Sequence, residues 1–155
     1  GEDSAREYFA ALEENDVVMV AGNSVSRDRV SDGELPVGFT DTDDANIAIR
    51  KGHSVRMVFP DSDGMGTLLI PNTVALIKGA RHLIEGKQLI DYLLSPEVES
   101  ELAHSPSAQI PVRASVSRPD QVVSLDSMTI MSVEWEGVVD VLELSTRYVH
   151  ELFIQ

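Results

Sequence analysis

The chain has 155 residues, 43% of them hydrophobic, which is long enough and apolar enough for a domain with a genuine core. Its formal net charge of -14, from 26 acidic and 12 basic residues, opposes DNA, RNA and anionic membranes and favours cationic ligands. The absence of cysteine excludes disulfides, zinc-thiolate sites and thiol catalysis, and no apolar run approaches the roughly 20 residues of a membrane span.

Residues 1–15 are charged and amphipathic, with no visible signal peptide. Ser4 and Glu7 have capping-box spacing, and Tyr8, Phe9 and Leu12 form an apolar stripe, so a helix is expected over about 4–14. Val17–Ala21 reads as a short buried strand ending at Gly22. Asn23 can cap a second helix with Val25 and Val30 inward, stopped by Gly33. Pro36–Thr40 is the next expected strand. Asp41 and Asp44, three apart, then open a helix over about 43–51 that ends at Gly52.

Val55, Met57 and Phe59 alternate as in a strand with one buried face. A turn-rich crossing, Pro60–Gly66, leads to two apolar strands, Thr67–Ile70 and Thr73–Lys78, flanking Pro71-Asn72. A helix is expected over about 81–94. Ser95 and Pro96 start another, with the serine as cap and the proline at the first helical position. Residues 104–127 read as mostly irregular and Met128–Val133 as a strand. The last expected helix, about 134–152, turns Trp135, Val138, Val139, Leu142, Val149 and Leu152 inward. Alternating strands and helices predict an α/β architecture with a largely parallel sheet.

In such sheets ligands settle beyond the carboxyl ends of strands. Asp41, Thr42, Asp43 and Asp44 stand at that place, although acids in a first helical turn are also favoured by capping and the helix dipole. Asn23 and Ser24 open a helix whose free N–H groups can cap or hold an anion. Asn72 and Thr73 interrupt an apolar strand pair, either as a turn or as cleft lining. Asp61-Ser-Asp-Gly64 resembles the start of a calcium loop but has Asn72 where the bidentate Glu should be. The four histidines lack metal-ligand spacing, and neither a nucleophile elbow nor a phosphate-binding glycine loop occurs.

An enzyme reading rests on Asp41-Thr-Asp43, which imitates the D-x-D of Mg-dependent phosphatases, with Asp41 attacking phosphorus and Asp43 acting as acid/base. That chemistry also needs a lysine and a downstream acidic pair. Lys51 falls within the same expected helix, and Asp61 and Asp63 follow too closely.

Several segments, in this order and spacing, carry a family resemblance: Gly22-Asn-Ser, Gly33-Glu-Leu-Pro-Val-Gly-Phe-Thr-Asp41, and Gly66 to Gly79. Leu89-Ile-Asp-Tyr-Leu-Leu-Ser-Pro-Glu-Val98 and Ala108-Gln-Ile-Pro-Val-Arg113 follow. Together they resemble the carboxyl-terminal half of an ABC-transporter solute-binding protein of the ferric-iron type. The resemblance implies part of a two-lobed α/β fold of type II periplasmic-binding-protein kind, with ligand held between lobes. Residues 1–60 would be the second part of the second lobe, 61–66 a hinge crossover, and 67–155 the return to the first lobe. The amino-terminal half would be absent. Bare strand edges would then favour self-association.

The implied function is a non-catalytic receptor, periplasmic or at the cell surface, that delivers solute to an ABC-transporter permease. The implied cargo is iron or another metal ion. Where ferric-binding relatives carry adjacent tyrosines, this chain has Asp43-Asp44, two hard oxygen donors suited to ferric iron or a divalent metal. The rival cargo is a small organic anion such as a carboxylate, held by Asn23, Ser24 and the helix N-terminus.

Overall fold

A computed structural model describes residues 1–154. It contains α1 (Glu2–Glu14), α2 (Asn23–Ser31), α3 (Thr42–Arg50), α4 (Leu83–Leu93), α5 (Pro96–His104) and α6 (Trp135–Phe153), with a 3-10 turn at Leu125–Ser127. The chain divides into two compact units, Gly1–Gly22 with Val133–Gln155, and Asn23–Ser132. Among the described residues no helix is long and apolar enough to cross a membrane.

In the first unit α1 packs on α6 through aromatic contacts. The Phe9 and Phe153 rings meet edge to face at 6.4 Å, and the Arg6 guanidinium lies 4.5 Å from the centre of the Tyr148 ring. Ser4 does not form the expected capping box. Helix α1 begins two residues earlier, with Gly1 as N-cap and no side-chain cap. The expected inward stripe of α6 is also only partly realised. Val149 and Leu152 are half-buried, whereas Val139 and Leu142 are exposed, because α1 spans 13 residues and α6 spans 19.

The second unit holds the buried apolar residues Ala48, Val98, Ala103, Ala108, Val116 and Val122. Local signals place its helix ends well. Ser95 Oγ accepts the Val98 N–H at 3.3 Å with Pro96 in the first turn, and Asp41 Oδ1 accepts the Asp44 N–H at 3.2 Å. Gly33 and Gly52 end α2 and α3 with φ of 77° and 83°. The inner face of α2 is rotated from expectation. Ser26 is buried and Val30 half-buried, while Val25 is exposed, because Gly38 lies against Ser26 and Val30, and Arg27 beside them reaches Asp44 of α3.

The residues expected as strands differ most from expectation. Among the described residues the β-pairing consists of one parallel bridge between Thr67 and Ile130, made by Thr67 N–H to Thr129 O at 2.9 Å and Met131 N–H to Thr67 O at 3.0 Å. The segments 17–21, 36–40, 55–59 and 73–78 carry no ladder. A helix satisfies its peptide groups within one segment, but a strand needs a second segment whose N–H and C=O groups match its own. The pleat pattern survives without the sheet: Val55, Met57 and Phe59 are half-buried and alternate with exposed Arg56 and Val58. The expected hinge, 61–66, lies inside the second unit. There Asp61 adopts φ 59° and accepts the Met65 N–H at 2.6 Å, and Gly66 lies against the backbone of 129–131.

Candidate functional site

Helices α2 and α3 start side by side. Asn23 Nδ2 donates to Asp41 Oδ2 at 2.5 Å, joining the first residue of α2 to the N-cap of α3. One turn further along both helices, Arg27 Nη1 donates to Asp44 Oδ1. The two contacts fix the register, so both helices run away from one corner. Thr40 Oγ1 closes that corner by donating to the Asn23 carbonyl at 3.1 Å.

The Arg27–Asp44 pair is largely withdrawn from water, with side-chain exposures of 14% and 16%. Arg27 also pairs with Asp28 at 2.8 Å, which is 62% exposed. The Asp28 hydrogen bond leads the influences on Arg27 and, despite partial desolvation, raises its pKa above the usual arginine value, so the guanidinium is a fixed positive charge here.

Asp41 and Asp43 titrate in opposite directions. Burial works against the charged form of Asp41, but hydrogen bonds from Asn23 and from the Asp44 N–H outweigh it and hold the pKa below 3.8. For Asp43 burial acts first, reinforced by the neighbouring Asp41 carboxylate through hydrogen bonding and charge, and its pKa rises above 3.8. The corner thus holds Asp41 as a firm carboxylate and makes Asp43 the readier proton acceptor.

Of the residues proposed from sequence, the structure brings together Asn23, Asp41, Thr42, Asp43 and Asp44. Ser24 is exposed beside them, in the first turn of α2. Asn72 and Thr73 belong to a different neighbourhood, where Asn72 Nδ2 donates to Gln109 Oε1 at 3.0 Å. Lys51 is the C-cap of α3, roughly 15 Å along the helix from Asp41 at 1.5 Å per residue, so it cannot stabilise a phosphoryl group there. Among the described residues no group of three or more acidic, histidine or cysteine side chains is arranged to hold a metal ion. Asp44 in particular already faces a cation, Arg27.

Arg27 and Gln109 are absent from the sequence-derived set. A signal for Arg27 did exist: Asn23 and Arg27 share a helix face four residues apart, and Asp41 and Asp44 share another three apart. Only the adjacency of the two helices turns those faces into paired contacts.

Residues 1–129 match the family model described as bacterial extracellular solute-binding protein. The chain is also similar to three curated proteins provisionally named 2-aminoethylphosphonate-binding periplasmic proteins, from Salmonella typhi, Salmonella typhimurium and Salmonella paratyphi A. Each is 26% identical over 143 residues, covering 88% of this chain and 42% of the relative. The chain therefore spans about two fifths of the length of the curated relatives it matches. No solved structure matches it. The chain belongs to the bacterial extracellular solute-binding protein family, which places it in the periplasm or outside the cell.

Proposed function

We propose that this member of the extracellular solute-binding family acts, without catalysis, as part of a receptor that delivers solute to an ABC-transporter permease. The two-lobed α/β architecture of type II, with residues 1–60 and 67–155 in different lobes, belongs to the same reading. We further propose that the solute is a small organic anion bearing an amino group, of the aminoalkylphosphonate class.

The observation that carries this reading is the α2–α3 corner. It sets the N-terminus of α2, with the Asn23 side chain, next to the carboxylates of Asp41 and Asp43. Helix N–H donors suit a phosphonate or carboxylate, and a carboxylate that stays ionised suits an ammonium. The name of the Salmonella relatives supports a solute of this double character. A metal cargo is less well served. Among the described residues no three acidic, histidine or cysteine side chains are grouped to hold an ion, and Asp44 is spent on Arg27.

Calorimetric titration of the whole natural protein tests the reading. The expected result is binding of 2-aminoethylphosphonate, at least tenfold weaker binding of ethylphosphonate, which lacks the amine, and no heat from ferric or divalent ions alone. Binding of a metal ion with none of the organic anions would overturn it.

A further inference from the structure

We propose that Arg27 is a positioning residue for the solute site: its contact with Asp44 holds the Asn23 amide and the Asp41 carboxylate together at one corner, and its part in solute binding rests on the receptor reading above. Asn23 and Asp41 are both exposed, so water competes for their hydrogen bond and it holds little by itself. A single contact between two helix starts also leaves the helices free to swing about it. Arg27 and Asp44 supply the second contact. Arg27 lies four residues beyond Asn23 on α2 and Asp44 three beyond Asp41 on α3, so each stands one turn further along the same helix face. Two contacts a turn apart fix a direction, where one fixes only a distance.

Shielding separates the two contacts. The Arg27–Asp44 pair is largely buried, whereas the Asn23–Asp41 bond faces water. The guanidinium is itself held in orientation, because Nε and Nη2 both face Asp28 Oδ1, at 2.9 and 2.8 Å, and Nη1 is left for Asp44. This planar fork reaches one partner on its own helix and one on the next. A lysine ammonium, a point charge on a flexible stem, does not reproduce that. The backbone leading into Asp41 is seated on α2 as well. A Cβ at Gly38 would lie 2.5 Å from Ser26 Oγ and 3.0 Å from Val30 Cγ2, and Thr40 Oγ1 donates to the Asn23 carbonyl at 3.1 Å. Those contacts bring α3 up to α2 and leave its tilt to the ion pair. For stability alone, two apolar side chains of similar volume often serve a buried contact as well as an ion pair does. What the pair adds is register, and the residues it sets in register are Asn23 and Asp41.

Arg27→Met combined with Asp44→Leu tests this in the whole natural protein. The exchange removes one positive and one negative charge, so the net charge of the corner is unchanged and a loss of affinity reports geometry. The Tm should stay within about 4 °C of the parent, because neither charged partner is left stranded. NMR of the Asn23 side-chain amide protons needs no solute. They should exchange more slowly than those of a free asparagine in the parent and lose that protection in the double variant. Titration with 2-aminoethylphosphonate should show binding weakened about tenfold or more at the nearly unchanged Tm. Parent-like exchange in the double variant would overturn the proposal whatever the solute is, and so would parent-like affinity. If the double variant instead melts well below the parent, Arg27→Lys decides, since it keeps the charge without the fork. It should speed the Asn23 exchange and weaken binding about threefold or more, and exchange or affinity equal to the parent's would overturn the proposal. A parent that fails to bind 2-aminoethylphosphonate refutes the solute reading alone, and the NMR result still decides for or against Arg27.

Discussion

Asp44→Ala removes one partner of the ion pair that joins α2 to α3, and its cost can be worked from the geometry. Exposed pairs contribute about 0–1 kcal/mol, and breaking a fully buried pair costs about 3–5 kcal/mol. This pair lies between those limits, with both side chains about six-sevenths buried. The gross attraction of two charges some 4 Å apart is about 4 kcal/mol at an effective dielectric of about 20. Arg27 keeps Asp28 as a second, exposed partner after the substitution, which reduces the loss. A net cost of about 2–3 kcal/mol follows, most of it from leaving a largely buried guanidinium underpaired. For a chain of this size that is a fall in Tm of about 4–12 °C. The assay is thermal unfolding followed by circular dichroism, with Asp43→Ala as control. Asp43 is also a first-turn acid of α3 but holds no arginine, so the helix-dipole effect of about 0.3–1 kcal/mol is common to both variants. If Asp44→Ala melts with the parent, or no lower than Asp43→Ala, the ion pair does not hold the two helices together.

The opposite titrations of Asp41 and Asp43 separate by pH. The pKa of Asp43 is raised on folding, so its stabilising contribution is full below 3.8 and is lost as pH rises through the folded value; Asp43→Asn should therefore melt higher than the parent at pH 7 and converge with it in acid. Asp41 runs the other way. Its contribution is present above 3.8 and lost as pH falls through the depressed value, so Asp41→Asn should be destabilised at pH 7 and the gap should close in acid, both read from Tm against pH. Gly66→Ala should cost about 2 kcal/mol or more in urea titrations. Its φ is 89°, and a Cβ there would lie 2.7–2.9 Å from Thr129 O, Ile130 C and Met131 N, at the parallel bridge. The chain should also self-associate, because Val37, Phe39, Ile70 and Ile77 are more than two-thirds exposed in segments without ladder partners. Light scattering that gives the mass of one chain across a wide concentration range would contradict this.

The sequence by itself determined the helices and, at several of them, the ends. Ser95 with Pro96, Asp41 with Asp44, Gly33 and Gly52 act within about four residues, so each carries its own instructions wherever the helix is placed. The family, too, was legible in the order of short segments from Gly22 to Arg113, and the acidic corner in the run Asp41–Asp44. What could not be read were the meetings between distant residues. Asn23 reaches Asp41 across 18 positions, Arg27 reaches Asp44 across 17, and Asn72 reaches Gln109 across 37. Each side chain alone offers several equally good partners, and only the packing of α2 against α3, or of one loop against another, selects one. The strands failed for the same reason seen in backbone form. Apolar alternation at Val55, Met57 and Phe59 states which face wants burial, but a ladder exists only where a second segment supplies the matching N–H and C=O groups. Within the described residues that happens at Thr67 and Ile130 alone.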